Sequence, residues 1–159
     1  SCLKNKKILI RNPNAIRPWQ HVLEPLSGYL LLASSLAESS GNHGEAYNFG
    51  PSSSFNYPVS KLINEMEKTW AQAKWNDVSK HENHFHEAQL LKLNCDKALF
   101  DLKWMPTLEF EETVKMTAEW YKTYYKDPTI SMQEFTFSQI TEYTRLAKTR
   151  RIEWACDHG

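Results

Sequence analysis

Glycine is scarce in this sequence, and its scarcity excludes one kind of ligand site. Only five of the 159 residues are glycine, and they never form the pattern Gly-x-Gly-x-x-Gly. That pattern makes the tight turn that holds the phosphates of a dinucleotide at the start of a helix. A dinucleotide phosphate site of this type is therefore not expected within these residues.

Cysteine, excess charge and long apolar runs are equally sparse. Cys2, Cys95 and Cys156 are widely spaced and form no Cys-x-x-Cys pair, which predicts reduced thiols and a cytoplasmic protein. Nineteen basic residues balance nineteen acidic ones, so the basic excess typical of nucleic-acid binding is absent. The longest apolar run, from Tyr29 to Ala33, is far too short to cross a bilayer. We therefore expect neither a nucleic-acid nor a membrane partner.

The first half of the sequence alternates strand and helix signals. The β-branched stretch from Lys7 to Arg11 predicts a strand that ends at an Asn-Pro turn. Glu24 and Pro25 begin a helix that is predicted to reach Ser39. The run from Glu45 to Phe49 predicts a buried strand, and a helix is expected from Pro58 to Ala73.

Helices dominate the second half. Short elements are predicted first, a strand at 90–93 and a helix at 95–102, followed by a long helix that begins near Glu109 and ends at Lys126. The capping-box pattern from Thr136 to Gln139 predicts a last helix that reaches Lys148. Residues 149–159 are predicted to be a disordered tail.

The predicted fold class is α/β and helix-rich. The strands are too few to form a complete sheet with both edges protected. Residues 1–148 are therefore expected to be one portion of a larger α/β protein, with Glu45 to Phe49 adding a strand to its sheet. The first residues resemble the end of a helix directly before a strand, which also predicts a truncated chain.

Two arginines flank a turn in the most informative segment, residues 11–22, whose sequence is RNPNAIRPWQHV. An arginine at the edge of a strand offers a forked, permanently charged set of donors that suits a diphosphate. The alternative is a surface arginine beside a core tryptophan. Chemistry alone leaves both interpretations open.

Four motifs in matching order and spacing make the sequence resemble the nucleotide-sugar enzymes of the extended short-chain dehydrogenase/reductase superfamily. They are RPWQHV at 17–22, YNFG at 47–50, LKWMP at 102–106 and AEWY at 118–121. Proline after Arg17, the Asn-Pro pair at 12–13, HEA at 86–88 and FTF at 135–137 make it similar to the 4,6-dehydratases that act on CDP-sugars. The resemblance extends to about Ala147.

The resemblance implies a Rossmann-type fold of which this chain is the C-terminal, substrate-binding part. The implied activity is the NAD-dependent dehydration of CDP-glucose or a related nucleotide sugar. NAD and the catalytic residues would belong mainly to an absent N-terminal half, and the full-length protein is expected to form a homo-oligomer. Arg17 is implied to meet the diphosphate. His86 and Glu87 are implied to line the nucleotide side of the pocket, with Arg11 and Asn12 at its rim.

Two other patterns have competing interpretations. His81, His84 and His86 could hold a metal, but their spacing fits no standard zinc motif, and a polar loop that reaches the nucleotide is favoured.

Tyr57 and Lys61 match the Tyr-x-x-x-Lys pair of short-chain dehydrogenases. In that superfamily the catalytic pair precedes the Arg-x-Trp segment, whereas this pair follows it. No catalytic residue is therefore predicted in this chain.

Rival functions remain open at this point. The chain could come from another nucleotide-sugar epimerase or dehydratase of the same superfamily. It could instead be a non-catalytic remnant that binds a nucleotide sugar, or a metal-binding domain. Titration with CDP-, dTDP- and UDP-sugars, and a metal analysis of the purified protein, distinguish these functions.

Overall fold

Short strands and longer helices follow one another in a computed structural model that describes residues 7–79 and 88–156. The elements in chain order are β1 (Ile8–Ile10), α1 (Leu23–Glu38), α2 (Val59–Thr69), β2 (Trp75–Asp77), α3 (Asp96–Leu102), α4 (Phe110–Lys126) and α5 (Met132–Thr149). A 3-10 turn at Glu153–Ala155 follows α5. The predicted α/β class and the predominance of helix are therefore confirmed.

The two strands form a parallel sheet in which Ile8 lies opposite Trp75 and Ile10 opposite Asp77. The β-branched residues of β1 favour extended backbone, and this strand was predicted. The sequence of β2, Trp-Asn-Asp, has weak strand propensity, so only its pairing with β1 makes it a strand. A parallel pair needs a long crossover connection, and the segment that contains α1 and α2 supplies it.

Helix α1 begins and ends within one residue of its predicted bounds. It carries no charged side chain between Glu24 and Glu38. On its inner face, Gly28 allows a very close approach, because a Cβ at this position would lie 2.3 Å from the ring of Phe49. Any larger residue would push α1 away from the segment that contains Phe49.

Aromatic side chains form the centre of the core. The rings of Phe49 and Trp104 meet edge to face at 5.0 Å, and Ala98 and Leu102 of α3 pack around them. A second cluster joins α4 to α5 and to the loop before α4; its buried members are Leu108, Met116 and Tyr143. Helix α2 packs against α4. The core therefore joins helices α3 to α5 of the second half to Phe49 and helix α2 of the first half.

The segment from Glu45 to Phe49, predicted to add a strand to the sheet of a larger protein, has no regular secondary structure in this structure. A strand needs a hydrogen-bonded neighbour, and no strand of residues 7–79 and 88–156 lies beside this segment. The carbonyl oxygen of Phe49 instead accepts a hydrogen bond from Gln20 Nε2 at 3.1 Å. Similarly, the strand predicted at 90–93 is reduced to a single bridge between Leu90 and Ile16.

The predicted start of the last helix is wrong. Helix α5 begins at Met132, four residues before Thr136, because the Ser131 side chain accepts the backbone N–H of Glu134 at 3.3 Å and caps the helix. The hydroxyl of Thr136 donates to the carbonyl of Met132 at 2.7 Å, inside the helix. A capping-box pattern in the sequence therefore does not by itself locate the start of a helix when an earlier serine can cap it.

Residues 150–156, which were predicted to belong to a disordered tail, pack onto α5 in this structure. Ile152 and Ala155 are buried against Ala147 of α5. The ring of Trp154 stacks on that of Tyr143 at 5.7 Å. These apolar residues, spaced among charged ones, fold the tail back onto α5.

Candidate functional site

Arg17 lies where three loop segments meet. Its neighbour Ile16 forms isolated bridges with Pro58 on one side and with Leu90 on the other. Nη1 of Arg17 donates to the carbonyl oxygens of Ile16 at 2.8 Å and of Ala88 at 2.9 Å. These contacts fix the guanidinium of a half-buried side chain beside the segment that begins at Ala88.

The residues after Arg17 are attached to the segment 49–57. The indole N–H of Trp19 donates to the carbonyl of Tyr57 at 2.8 Å, and Gln20 donates to the carbonyl of Phe49. A guanidinium whose position is fixed by hydrogen bonds to backbone carbonyls needs little rearrangement to bind an anion. The Arg17 segment, residues 16–22, is therefore hydrogen-bonded to the segment 49–58 on one side and to the segment 88–90 on the other.

Arg11 and Asn12 lie in the turn that follows β1, where Arg11 is exposed and Asn12 half-buried. The same turn covers the start of α2, since Pro13 O accepts the N–H of Ser60 at 2.9 Å and Ala15 O accepts that of Val59 at 3.0 Å. These carbonyls satisfy donors that a helix start leaves without partners. Arg11 and Asn12 therefore lie on the same continuous loop as Arg17, between β1 and α1.

His86 and Glu87 lie outside the described residues, as do His81 and His84. On either side of the undescribed stretch the chain is hydrogen-bonded to the segment 10–17. Before it, the backbone N–H of Val78 donates to the carbonyl oxygen of Ile10 at 3.0 Å. After it, the carbonyl oxygen of Ala88 accepts a hydrogen bond from Arg17. Within the ranges 7–79 and 88–156, no group of histidine, cysteine and acidic side chains has an arrangement suited to a metal ion.

Tyr57 and Lys61 each contact a different residue of the chain. The ring of Tyr57 stacks on the buried Phe110 of α4 at 3.9 Å, and Lys61 Nζ lies 3.8 Å from a carboxylate oxygen of Glu65 one turn along α2. In a catalytic Tyr-x-x-x-Lys pair the lysine acts on the tyrosine. These contacts favour the interpretation of both residues as structural.

A buried carboxylate at the start of α1 is the main feature that the sequence did not reveal. Glu24 is 1% exposed. Its oxygens accept the backbone N–H groups of Thr107 at 2.9 and 3.0 Å and of Leu108 at 2.6 Å, and the hydroxyl of Tyr143 at 2.9 Å. The sequence predicted only that Glu24 begins a helix. No local pattern could indicate partners that lie 83 and 119 positions away.

Opposing effects act on this carboxyl group. Burial raises the pKa of Glu24, and the hydrogen bonds from Thr107, Leu108 and Tyr143 and the charge of Arg150 oppose that rise. Burial and the nearby Glu24 raise the pKa of Tyr143. Tyr143 is therefore a neutral hydroxyl at physiological pH, which suits it to hydrogen-bond to Glu24.

A cleft of about 440 Å³ lies beside the Arg17 segment, between the start of α1 and helices α4 and α5. His21 and Gln20 line its inner end, and Val22, Trp120 and Ile140 contribute apolar walls. Burial lowers the pKa of His21 to about 4, so the imidazole is neutral at physiological pH. The cleft is therefore mainly apolar and carries no formal charge from His21.

The chain is similar to two curated sugar-nucleotide 4,6-dehydratases. It is 41% identical over 123 residues to the CDP-glucose 4,6-dehydratase of Salmonella typhimurium, in an alignment that covers 77% of this chain and 34% of the relative. It is 29% identical over 115 residues to the dTDP-glucose 4,6-dehydratase of Haemophilus influenzae, covering 67% of this chain and 32% of the relative. No protein-family model matches the chain.

These comparisons confirm the resemblance to the 4,6-dehydratases that act on CDP-sugars. Both of these relatives are nucleotide-sugar 4,6-dehydratases, and the similarity to the Salmonella CDP-glucose 4,6-dehydratase extends over 77% of this chain. The chain spans about a third of the length of these curated relatives.

Proposed function

We propose that this chain is the substrate-binding part of a CDP-glucose 4,6-dehydratase, in which the Arg17 guanidinium binds the diphosphate of the nucleotide sugar. The observation that supports it most is the position of Arg17, whose guanidinium is held by the carbonyls of Ile16 and Ala88 within the motif at 17–22 that resembles those of the nucleotide-sugar enzymes. The similarity to the Salmonella enzyme supports the choice of CDP-glucose.

The diphosphate role follows from charge and shape. A diphosphate presents several anionic oxygens at fixed spacing, and the planar guanidinium matches two of them at once. Ala88 O fixes one edge of the Arg17 guanidinium, so the segment that contains His86 and Glu87 is the proposed nucleotide side of the pocket. Arg11 and Asn12 are proposed to form the rim, because the turn that carries them is continuous with the Arg17 segment.

The proposed reaction of the whole protein converts CDP-glucose to CDP-4-keto-6-deoxyglucose with loss of water, and NAD is the proposed cofactor. The described residues do not fit the phosphates of NAD. The glycines at 28, 41, 44 and 50 do not form a turn between a strand and a helix, and the loop after β1 contains none. We therefore assign substrate binding, and no step of the chemistry, to this chain.

Calorimetric titration tests the proposal. CDP-glucose should bind more tightly than dTDP-glucose or UDP-glucose, with folding of the chain checked by circular dichroism. Arg17→Ala should weaken CDP-glucose binding by ~1.5–3 kcal/mol, the range for a hydrogen bond to a charged group. Arg17→Lys keeps the charge but loses the fork, so it should recover only part of that loss.

Arg11→Ala is the matched control, because Arg11 is the same residue type in the same segment but is exposed at the proposed rim. It should weaken binding less than Arg17→Ala does. Unchanged affinity in a folded Arg17→Ala variant would contradict the diphosphate role. A preference for dTDP-glucose would instead favour the specificity of the Haemophilus relative.

A further inference from the structure

One ring nitrogen of His21 has no hydrogen-bond partner among residues 7–79 and 88–156, although the side chain is only 6% exposed. The other nitrogen, Nδ1, accepts the backbone N–H of Leu23 at 3.3 Å. In a neutral imidazole the nitrogen that does not accept carries the proton, so Nε2 of His21 is a donor. Buried donors are normally paired. His21 lines the inner end of the apolar cleft, and a molecule in that cleft can supply the acceptor.

The other polar side chains of the cleft, apart from the half-exposed Tyr121, each donate a hydrogen bond to a backbone carbonyl of the protein. They are Gln20 to Phe49 O, Thr117 to Thr113 O, Thr136 to Met132 O and Gln139 to Met116 O, at 2.7–3.1 Å. These bonds fix the walls of the cleft. Among the buried side chains of the lining, His21 is therefore the one that donates to no atom of the described residues.

The walls of the cleft determine what kind of molecule fits. None of its lining residues is lysine, arginine, aspartate or glutamate, and burial lowers the pKa of His21 to about 4. An ion would therefore lose its hydration in the cleft without gaining a counter-charge. The indole of Trp120, one of the apolar walls, is held by a 2.9 Å hydrogen bond to Thr136 Oγ1. A volume of about 440 Å³ lies in the range of small-molecule sites.

We propose that this cleft is a binding site for a neutral, mainly apolar ring compound whose carbonyl oxygen accepts a hydrogen bond from His21 Nε2. The site differs in charge from the proposed diphosphate site, because Arg17 is not among its lining residues. Its existence does not depend on CDP-glucose being the substrate.

Acetophenone and ethylbenzene are the probes that test this site, because they are similar in size and only acetophenone has a carbonyl. Each is titrated into the chain with nitrogen-15-labelled histidine, and the two ring nitrogens of His21 are followed by NMR. Acetophenone should bind saturably and shift the Nε2 signal, whereas ethylbenzene should leave that nitrogen nearly unchanged. Benzoate, the anion of similar size, should bind more weakly than acetophenone. No saturable binding of acetophenone, or binding without a change at Nε2, would overturn the proposal.

His21→Phe keeps a ring but removes the donor. The ratio of acetophenone affinity to ethylbenzene affinity should fall by ~3- to 10-fold in this variant, the range for one hydrogen bond. Comparing the two probes cancels any general change in the cleft. An unchanged ratio would contradict the role of His21. The NMR measurement on the wild-type chain needs no variant, so it decides the matter if His21→Phe does not fold.

Two tryptophan variants of α5 test the location. Ile140→Trp should abolish acetophenone binding, because Ile140 forms a wall of the cleft and a larger side chain would occupy its space. Phe137→Trp is the matched control, since Phe137 lies one turn earlier, is 59% exposed and is not among the lining residues. Its effect on affinity should stay within about twofold. Equal effects of the two variants would place the probe elsewhere and overturn the proposal.

Competition separates this site from the proposed substrate site. CDP-glucose should bind without displacing acetophenone. Displacement would assign the cleft to the substrate site and overturn the proposal, whereas failure of CDP-glucose to bind would contradict only the proposed function. The same titration is made with a folded chimera in which this chain replaces the matching third of the Salmonella enzyme. Loss of acetophenone binding there would identify a protein segment as the occupant and would also overturn the proposal.

Discussion

Removing the buried carboxylate of Glu24 should destabilise the protein more than any change at an exposed acidic residue. In Glu24→Ala, the N–H groups of Thr107 and Leu108 would remain buried without an acceptor. Each orphaned donor costs about 1–3 kcal/mol, and the lost packing adds to this. We therefore expect the free energy of unfolding to fall by about 3–5 kcal/mol.

Glu24→Gln should be milder, because the geometry can accommodate an amide. Its oxygen can accept the two N–H groups, and its nitrogen can donate to the hydroxyl oxygen of Tyr143, whose proton can turn to Ser27 Oγ at 3.1 Å. The amide loses the charge assistance of the hydrogen bonds but avoids the cost of burying a charge, so the net loss should be at most about 1–2 kcal/mol. The expected order of stability is wild type, then Glu24→Gln, then Glu24→Ala.

Urea denaturation followed by circular dichroism measures these differences. Glu38→Ala is the matched control, because Glu38 ends the same helix and is exposed; its cost should stay within about 0.5 kcal/mol. A loss below about 1 kcal/mol for Glu24→Ala would refute the reasoning, since the hydrogen bonds to Glu24 would then contribute little.

The pH dependence of stability gives a second check on Glu24. Burial raises its pKa in the folded protein above the unfolded value, so the folded state holds the proton more tightly. The contribution of Glu24 to the free energy of unfolding is fully present below the pKa that it has in the unfolded chain. It is lost as pH rises through the pKa that it has in the folded protein. Glu24→Gln should flatten the stability profile in that window, and an unchanged slope would contradict the raised pKa.

Three other predictions concern His21, the Glu112–Arg150 pair and Tyr57 with Lys61. Because burial lowers the pKa of His21 to about 4, unfolding free energy should fall by about 2–3 kcal/mol as pH drops from about 6.5 to 4. His21→Gln should remove most of that loss in urea titrations. The hydrogen bond from Arg150 lowers the pKa of Glu112, so its stabilisation is present above the unfolded pKa and is lost as pH falls through the folded pKa. Glu112→Gln should therefore cost about 1 kcal/mol at neutral pH and almost nothing in acid; an equal cost in both would disprove the pairing. Tyr57→Phe and Lys61→Met should each leave CDP-glucose affinity within about twofold, and a large loss in calorimetry would reopen their functional interpretation.

The sequence predicted elements whose signals are local. Helix α1 was located because an acidic residue and a proline at its first turn, and a charge-free apolar run after it, all favour helix. The strand β1 was located by its β-branched residues. Capping was less predictable, because Ser131 and Thr136 both suit a helix start, and only Ser131 has the geometry to accept an N–H.

Features that depend on distant partners were not predictable. The segment from Glu45 to Phe49 has a strand-like composition, but composition cannot provide the neighbouring strand that hydrogen bonding requires. The packing of the tail onto α5 depends on the contact between Trp154 and Tyr143. At the candidate site, the motif indicated Arg17 itself, whereas its contact with Ala88, 71 positions later, needed the structure.

The hydrogen bond between Glu24 and Tyr143 has a consequence for the order of events during synthesis. Its partners are 119 positions apart, so it is a highly non-local contact. At about 5–20 residues per second, Tyr143 is translated about 6 to 24 s after Glu24. Throughout that interval the nascent chain already contains the Arg17 segment but lacks one of the groups that anchor the helix after it. The native arrangement around Glu24 is therefore completed only near the end of translation of this region.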